Sequence, residues 1–454
     1  MIGAVNDILF WFNSFVILYF LVFNTFGLLL LTGSGFSIKR YFKRQQEAEL
    51  GGLYQSDIGK AITLLLPFDE VKTSITDTIR RLPVNDDARF QVVVINASGS
   101  DSATREIIEA FNLEPKDRYI PSMVDQNPVQ QCYEAETYPG LLYIDKEKTD
   151  LADALNTGLN AAIHDLIYLV GKDDTVDLDA IRKLSRVFIE DEQQIAVGGF
   201  VEFQNPGQMS GNEADRVKQK WSITEYPDQL SHIKSKFAGL HWLGGFRNTA
   251  CRNFLLKRRE VIRAGGFLNG VRDPGKELLI RLFRQNYQSR SSNQIKLVPE
   301  VIQQTLSPGS DGKLSDRRRK AQQGMLESLH QHKTMTFNPR YGASGMFGVP
   351  LVWIFEGWGP FIELSGYVTI VLGLISGAIG LPFLLLFLAA SVLFGMVISL
   401  LSLIRHTKIY GMDFGTKRIV LLMFSVVIEH LGYRQLNTWW KVRGMVSFLS
   451  SSKS

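Results

Sequence analysis

Long, nearly uncharged apolar runs near both ends of the chain predict membrane-spanning helices. Phe10 to Leu31 reads FWFNSFVILYFLVFNTFGLLLL. In a helix this run is long enough to cross a hydrocarbon core of roughly 30 Å. Val349 to Ile379 and Leu381 to Ile404 are two similar runs. The pattern therefore predicts one span before, and two spans after, the central part of the chain.

The last apolar run, Arg418 to Trp440, is ambiguous. Its apolar stretch covers only about a dozen residues, which is shorter than a spanning helix needs. Glu429 and Arg434 are costly in lipid unless they pair with each other or with neighbouring groups. Trp439 and Trp440 are typical of residues that anchor a helix at the membrane–water interface. The segment is thus either a short span packed on its neighbours or an interfacial helix, which leaves three or four crossings open.

Between the ends, short apolar segments alternate with amphipathic ones. AITLLLP, FQVVVINASGS, GLLYID and LIYLVG are predicted strands, separated by the predicted helices TSITDTIRRL, SATREIIEAFN and LADALNTGLNAAIH. Apolar strands that alternate with helices indicate an α/β fold with a mostly parallel sheet covered on both faces. Ligands of such sheets bind at the carboxyl ends of the strands, so Pro67, Asn96, Asp145 and Gly171 are predicted to lie along one edge.

Composition and charge fit a membrane protein with a cytosolic domain. The chain has 454 residues, of which 45% are hydrophobic, and its net charge is +5. A basic cluster, Lys39 to Arg44, follows the first apolar run without a small-residue cleavage site, which places the next segment in the cytoplasm. Cys132 and Cys251 lack partner histidines at ligand spacing, so we expect reduced thiols. The mild positive charge favours anionic lipid, and the sequence shows no nucleic-acid motif.

The order of these elements resembles the membrane-bound family 2 glycosyltransferases, which include the synthases of cellulose, hyaluronan and poly-N-acetylglucosamine. The resemblance is carried by RFQVVVINASGSD, ADALNTGLNAA, IAVGGFV, FLLKRREVIRAGGF, GMLESLHQHKTMTFNPRYG and GYRQL. It implies a nucleotide-diphospho-sugar transferase-like fold of the GT-A type. We expect a first span with its basic flank at 1–45, a cytosolic α/β domain ending in a basic interfacial helix at 46–336, and membrane or interfacial helices at 337–454. The implied location is the bacterial cytoplasmic membrane.

Several motifs that bind substrate in that family are altered here. The family's P-A-x-N-E stretch corresponds to PFDEVK, Pro67 to Lys72. The Asp of N-D-G-S, which receives the uracil ring or its ribose, corresponds to Ala97, and the Lys that reaches the phosphates corresponds to Leu151. The Q-x-x-R-W motif, which holds the diphosphate and the acceptor sugar, corresponds to Arg317 to Ala321, without its Gln and Trp.

The metal and base motifs are altered as well. The D-x-D motif of the family binds Mg²⁺ or Mn²⁺, which neutralises the leaving diphosphate. Aligned through LDAI, its first Asp corresponds to Gly171 and its last to Asp173, with Asp174 beside it. The acidic pair that supplies the general base corresponds to Pro274 and Gly275, neither of which takes a proton. Changes at the nucleotide, metal and base positions together predict an impaired or inactive transferase.

Four residues remain as candidate binding residues: Asp173, Asp174, Arg318 and Arg319. Asp173 is also the candidate metal ligand, and we assign no residue a catalytic role. Each candidate has a plainer interpretation, in which Asp174 caps the following helix and Asp173 is solvated. The two arginines belong to a basic run that is typical of a solvated face near anionic headgroups. Mg²⁺ or Mn²⁺ with a nucleotide sugar is expected only if the chain is active.

Three functions follow as hypotheses. In the first, the chain is a structural or regulatory component of envelope polysaccharide or surface assembly, with membrane lipid and proteins as partners. In the second, it is an active transferase in which Asp173 and Asp174 hold the metal, Glu277 or Asp273 is the base, and Arg317 to Lys320 bind the diphosphate. In the third, it is a receptor whose cleft binds a nucleotide or a lipid without turnover.

Overall fold

A computed structural model describes residues 2–50, 59–69, 75–84, 89–171, 174–203, 254–290, 293–305, 311–410 and 416–451. The described chain forms two compact units. One unit contains residues 2–43 together with the helices from residue 311 onward, and the other is the α/β unit. The three domains expected at 1–45, 46–336 and 337–454 stay a prediction.

A mixed sheet is the centre of the α/β unit. Its described strands are β1 Ile62–Phe68, β2 Phe90–Asn96, β3 Glu114–Lys116, β4 Gln131–Glu134, β5 Leu141–Asp145, β6 Leu166–Leu169, β7 Asp174–Val176, β8 Gln194–Phe203, β9 Phe254–Lys257 and β10 Gln294–Thr305. They form one ten-stranded sheet in the order β3-β4-β5-β2-β1-β6-β9-β8-β10-β7. β1 pairs parallel with β2 and β6, and β2 pairs parallel with β5. The mostly parallel core that the apolar runs predict is thus confirmed.

Helices cover this sheet. They are α2 Ile75–Arg80, α3 Asp101–Phe111, α4 Leu151–Ala161, α5 Leu178–Glu190, α6 Arg258–Arg263 and α7 Pro274–Gln288. α4 is buried from Ala152 to Ala161, which its sequence allows because small residues are interspersed among the larger ones. A Cβ at Gly158 would lie 3.0 Å from Ile95 and 3.1 Å from Leu65, so the missing side chain lets α4 approach β1 and β2 closely.

The second unit is helical. Its helices are α1 Ile2–Leu50, of which residues 2–43 belong to this unit, α8 Asp311–Gln331, α9 Ser344–Ile375, α10 at 381–410 with a π-turn at Ala389–Leu393, and α11 at 416–451 with a π-turn at Glu429–Tyr433. Three stretches are long and apolar enough to cross a membrane: Ala4–Lys43, Ser344–Ile375 and Leu381–Arg405. They coincide with the three clear apolar runs of the sequence, and α11 is not among them.

Candidate functional site

The carboxyl ends of the central parallel strands meet at one edge of the sheet. In the register of β1 and β2, Phe68 lies opposite Asn96, and in that of β2 and β5, Asn96 lies opposite Asp145. β6 ends just before Gly171 and pairs with the other side of β1. The strand register therefore places these strand ends side by side, at the edge where the sequence predicts a ligand cleft.

A network of polar side chains orders this edge. The Nδ2 of Asn96 donates to Oδ1 of Asp145 at 2.9 Å and to the Thr104 hydroxyl at 3.0 Å. The Oδ1 of Asn96 accepts from the backbone N–H of Ser98 at 3.0 Å, which shapes the turn after β2. Within this turn, Ala97 is buried and its N–H donates to the Phe68 carbonyl at 2.8 Å. The side chain at this position of the edge is thus a methyl group, which makes no hydrogen bond.

Asp145 is a half-buried carboxyl group within this network. Burial raises its pKa, and the hydrogen bonds from Thr104 and Asn96 oppose that shift only partly. A raised pKa means that the folded chain binds the proton more tightly than the unfolded chain, whose carboxyl titrates near about 3.9. Asp145 therefore contributes a penalty that appears as the pH rises.

We expect Asp145→Asn to remove a loss of stability that develops in the wild-type chain as this carboxyl group ionises. From about pH 3.9 upward to the raised folded pKa, the unfolding free energy of the wild-type chain should fall relative to that of Asp145→Asn, because the folded state loses a proton that it binds more tightly than the unfolded state does. Thermal unfolding midpoints of both chains over a pH series measure this difference. If the unfolding midpoints of the two chains change in parallel over this pH range, the raised pKa of Asp145 is contradicted.

Of the two candidate acids after β6, the structure describes Asp174 but not Asp173. Asp173 lies outside the described residues, so its assignment as the metal ligand stays a prediction. Asp174 is 6% exposed and begins β7, where it pairs with Thr305. Its Oδ2 accepts the backbone N–H of Gly171 at 2.8 Å, which closes its own loop.

The interpretation of Asp174 as a helix cap is wrong. Asp177 precedes α5, and its carboxylate accepts the N–H of Ala180 at 3.1 Å. Asp174 is the first residue of β7, which precedes that helix, so Asp174 is too early in the chain to cap it. Among the described residues, no three His, Cys, Asp or Glu side chains lie together as metal ligands.

A buried ion pair beside the edge was not foreseen from the sequence. Lys146 and Asp153 have side chains that are each 1% exposed, and the lysine Nζ lies 2.6 Å from the Asp153 carboxylate. Lys146 also donates to the Thr157 hydroxyl at 2.6 Å and to the Asn127 carbonyl at 3.0 Å. Its bonds are to α4 and to the segment before β4, so the pair holds the end of β5 against α4.

The positions that correspond to the general base lie in the first turn of α7. Asp273 caps this helix, because its carboxylate accepts the Lys276 N–H at 3.1 Å. Glu277 is 1% exposed, and its Oε2 accepts from Arg281 at 2.9 Å. Arg281 also donates, at 2.6 Å each, to the carbonyl oxygens of Ala264 and Gly266. Both carboxylates considered as substitute bases are thus bonded within the fold.

Replacing Asp273 separates its capping role from a role in proton transfer. Asp273→Ala should lower the unfolding free energy by about 1 kcal/mol, whereas Asp273→Asn should be nearly neutral because asparagine caps helices equally well. Thermal unfolding of the purified variants measures both effects. The cap assignment fails if Asp273→Asn destabilises the chain as much as Asp273→Ala does.

The two candidate arginines lie on α8, in the helical unit. Arg318 donates to the Tyr433 hydroxyl at 3.1 Å, and Arg319 lies 3.3 Å from the Asp316 carboxylate. Arg317 and Lys320, from the same basic run, are exposed. Binding of a nucleotide by Arg318 and Arg319 stays a prediction.

Comparison with known proteins finds a family match in the central part of the chain. Residues 67–262, from the end of β1 into α6, match the family model described as "Glycosyl transferase family 2". The chain is 26% identical over 142 residues to "Glycosyltransferase GlyA" of Streptococcus pneumoniae serotype 4, a match that covers 31% of this chain. That match spans only 17% of the relative's length.

Two solved structures are similar to the chain at low identity. A mannosyltransferase from Pyrobaculum calidifontis, in complex with GDP-Man and Mn²⁺, is 12% identical with a TM-score of 0.46, and 99% of each chain is covered. Glucosyl-3-phosphoglycerate synthase from Mycobacterium tuberculosis, in complex with Mn²⁺, UDP and phosphoglyceric acid, is 13% identical with a TM-score of 0.37. That likeness covers 64% of this chain and 82% of the synthase.

The family match and the sheet agree on the fold. The matched segment begins at the sheet edge described above and includes the parallel strands β2, β5 and β6, which is the nucleotide-diphospho-sugar transferase-like arrangement of the GT-A type. The resemblance noted in the sequence is therefore supported, since the fold agrees with it and residues 67–262 match the model of glycosyltransferase family 2.

Proposed function

We propose that this chain is an integral membrane member of family 2 whose transferase chemistry is impaired. It serves as a structural or regulatory component of a bacterial envelope polysaccharide or surface assembly, with its α/β domain in the cytoplasm. The observation that carries the proposal is the state of Glu277, one of the two carboxylates beside the expected base position. It is 1% exposed and paired with Arg281 at 2.9 Å, so it cannot take a proton from an acceptor hydroxyl without breaking this ion pair.

Two other described acids, Asp273 and Asp174, support the proposal of impaired chemistry. Asp273 is occupied as a helix cap, and Asp174 accepts the N–H of Gly171. The titles of the two similar structures name Mn²⁺ with GDP-Man or UDP, and such an ion is held by several oxygen ligands. The described residues of this chain do not fit that ion, and we derive no chemical step through it.

A turnover assay on the purified full chain tests the proposal. UDP-glucose, UDP-N-acetylglucosamine and GDP-mannose would each be supplied with Mg²⁺ and with Mn²⁺, beside an active family member as the positive control. We expect nucleotide release at the level of the protein-free blank, unchanged in Asp173→Ala. Release above the blank that Asp173→Ala abolishes would instead establish an active transferase with a rearranged site.

A receptor that binds a nucleotide without turnover is the second candidate. It is favoured by the ordered edge at Asn96 and Asp145, where the side-chain network is intact although Ala97 is apolar. Calorimetry with UDP and GDP tests it, with Asp145→Asn as the variant and Glu109→Gln, at an exposed acid on α3, as the matched control. Binding heat that only Asp145→Asn weakens would support the receptor, and absence of both heat and a thermal shift would remove it.

A further inference from the structure

The surface of α11 is inverted relative to that of a helix in water. Its exposed large apolar side chains are Val420, Met423, Phe424, Val427, Ile428, Leu431, Leu436, Trp439, Val446 and Leu449, and Arg443 is an exposed charged residue near its C-terminal end. Its buried polar side chains are Ser425, Glu429, His430, Asn437 and Thr438. A helix that faces water buries apolar residues and exposes polar ones. The opposite distribution is the one expected when the surrounding solvent is hydrocarbon.

The buried polar side chains of α11 meet partners on two of the candidate spans. Arg434 lies 2.9 Å from the Glu363 carboxylate of α9, and Thr438 donates to the same carboxylate at 3.3 Å. Glu429 accepts from the Ser399 hydroxyl of α10 at 3.4 Å. These contacts lower the free-energy cost of placing Glu429 and Arg434 in lipid. That cost is what made this segment ambiguous in the sequence.

Arg434 also touches the first candidate span. Its guanidinium lies over the rings of Phe20 and Phe23 on α1, at 5.7 and 6.0 Å from the ring centres. It approaches the Ser391 carbonyl of α10 at 3.5 Å. With Glu363 on α9, this single side chain contacts all three candidate spans. The turn of α11 that carries Arg434 is therefore packed among helices that are themselves long and apolar enough to cross a membrane.

Space for this packing comes from a glycine on α10. A Cβ at Gly395 would lie 2.6 Å from the His430 ring and 3.1 Å from the Arg434 guanidinium. The absence of a side chain there lets two large polar residues of α11 approach α10. Small residues have this role in helix packing within membranes.

The C-terminal half of α11 has one packed face and one open face. Trp440 is buried in a cluster with Leu314 of α8 and Tyr433, so its interpretation as an interfacial anchor is wrong. Its neighbour Trp439 is half exposed and lies in the apolar set together with Val446. The exposed apolar set thus continues from the first half of the helix into the second, beyond the π-turn at Glu429–Tyr433.

We propose that α11 is a fourth lipid-embedded helix, and that its exposed apolar side chains contact the acyl chains of the bilayer. The proposal rests on the membrane integration proposed above. It adds to the three candidate spans a helix that length and mean hydropathy do not select. The partner is the hydrocarbon of the membrane, because exposed apolar side chains continue over both halves of the helix while Glu429 and Arg434 face the other spans. Lys441 and Arg443, near the C-terminal end, have long side chains that reach the headgroups. A second copy of this chain is the competing occupant of that face.

Quenching by brominated lipid tests the proposal in the full chain. Single cysteines at Phe424 and Val446, in a chain with both native cysteines replaced by alanine, would carry an environment-sensitive fluorophore in phosphatidylcholine–phosphatidylglycerol vesicles. Val397→Cys on α10 is the matched control within a candidate span, and Tyr119→Cys in the α/β unit is the control exposed to water. Leu431→Cys carries the test if either α11 variant fails to fold.

We expect the α11 labels to be quenched to within about twofold of the Val397 label, while the Tyr119 label is unaffected. Labels on α11 that behave like the Tyr119 label, with the Val397 label quenched, would overturn the proposal and leave membrane integration intact. Loss of quenching at Val397 as well would instead contradict membrane integration itself. Weak quenching on α11 together with disulfide crosslinks between copies would assign the face to a second copy and overturn the lipid assignment.

Discussion

Arg281→Met should lower the free energy of unfolding by about 3–5 kcal/mol, because it removes the guanidinium that neutralises the buried Glu277 carboxylate. The same change removes the donors for the carbonyl oxygens of Ala264 and Gly266. Denaturant unfolding of the full chain in detergent measures the loss. Arg80→Met is the matched control, since Arg80 pairs with Asp77 on the surface and such pairs contribute about 0–1 kcal/mol.

This result bears directly on the role of Glu277. A carboxylate that served as a general base should be replaceable with a large loss of turnover and a small change in stability. We expect the reverse for Glu277→Gln, which should destabilise the chain and leave nucleotide release at the blank level. An Arg281→Met variant as stable as Arg80→Met would contradict the structural role.

Lys146→Met should be destabilising to a similar extent, by about 3–5 kcal/mol. The change leaves the Asp153 carboxylate buried and unpaired, and the Thr157 hydroxyl loses its donor. Lys148→Met, at an exposed position two residues later in the same loop, is the matched control. Unfolding midpoints of the two variants give the difference. Equal midpoints would show that the buried pair does not stabilise the end of β5.

The architecture of the sheet could be predicted because it follows from short-range pattern. β1, β2, β5 and β6 are continuous apolar runs that end in turn residues, and the helices between them have amphipathic spacing. Pairing of β7 with β10 could not be predicted, because β7 has three residues and its partner lies more than 100 positions later. That pairing is also why Asp177, and not Asp174, caps α5.

The candidate site shows the same division between local and distant contacts. Glu277 and Arg281 are four residues apart on a predicted helix, so their ion pair could have been found from spacing alone. The bonds of Arg281 to Ala264 and Gly266 depend on how α6 and α7 meet, which no local pattern gives. Lys146 was missed because a lysine after a strand reads as exposed until its burial against α4 is known.

Our main proposal is that this chain keeps the GT-A type fold while its remaining acids do not form a metal and base site. A structure of the full chain prepared with Mn²⁺ and UDP tests this proposal. We expect that Asp174 stays bonded to Gly171, that Glu277 stays paired with Arg281, and that no ion bridges the Asp173 loop to a diphosphate. An Mn²⁺ ion held by Asp173 and a second carboxylate against the UDP phosphates would contradict it.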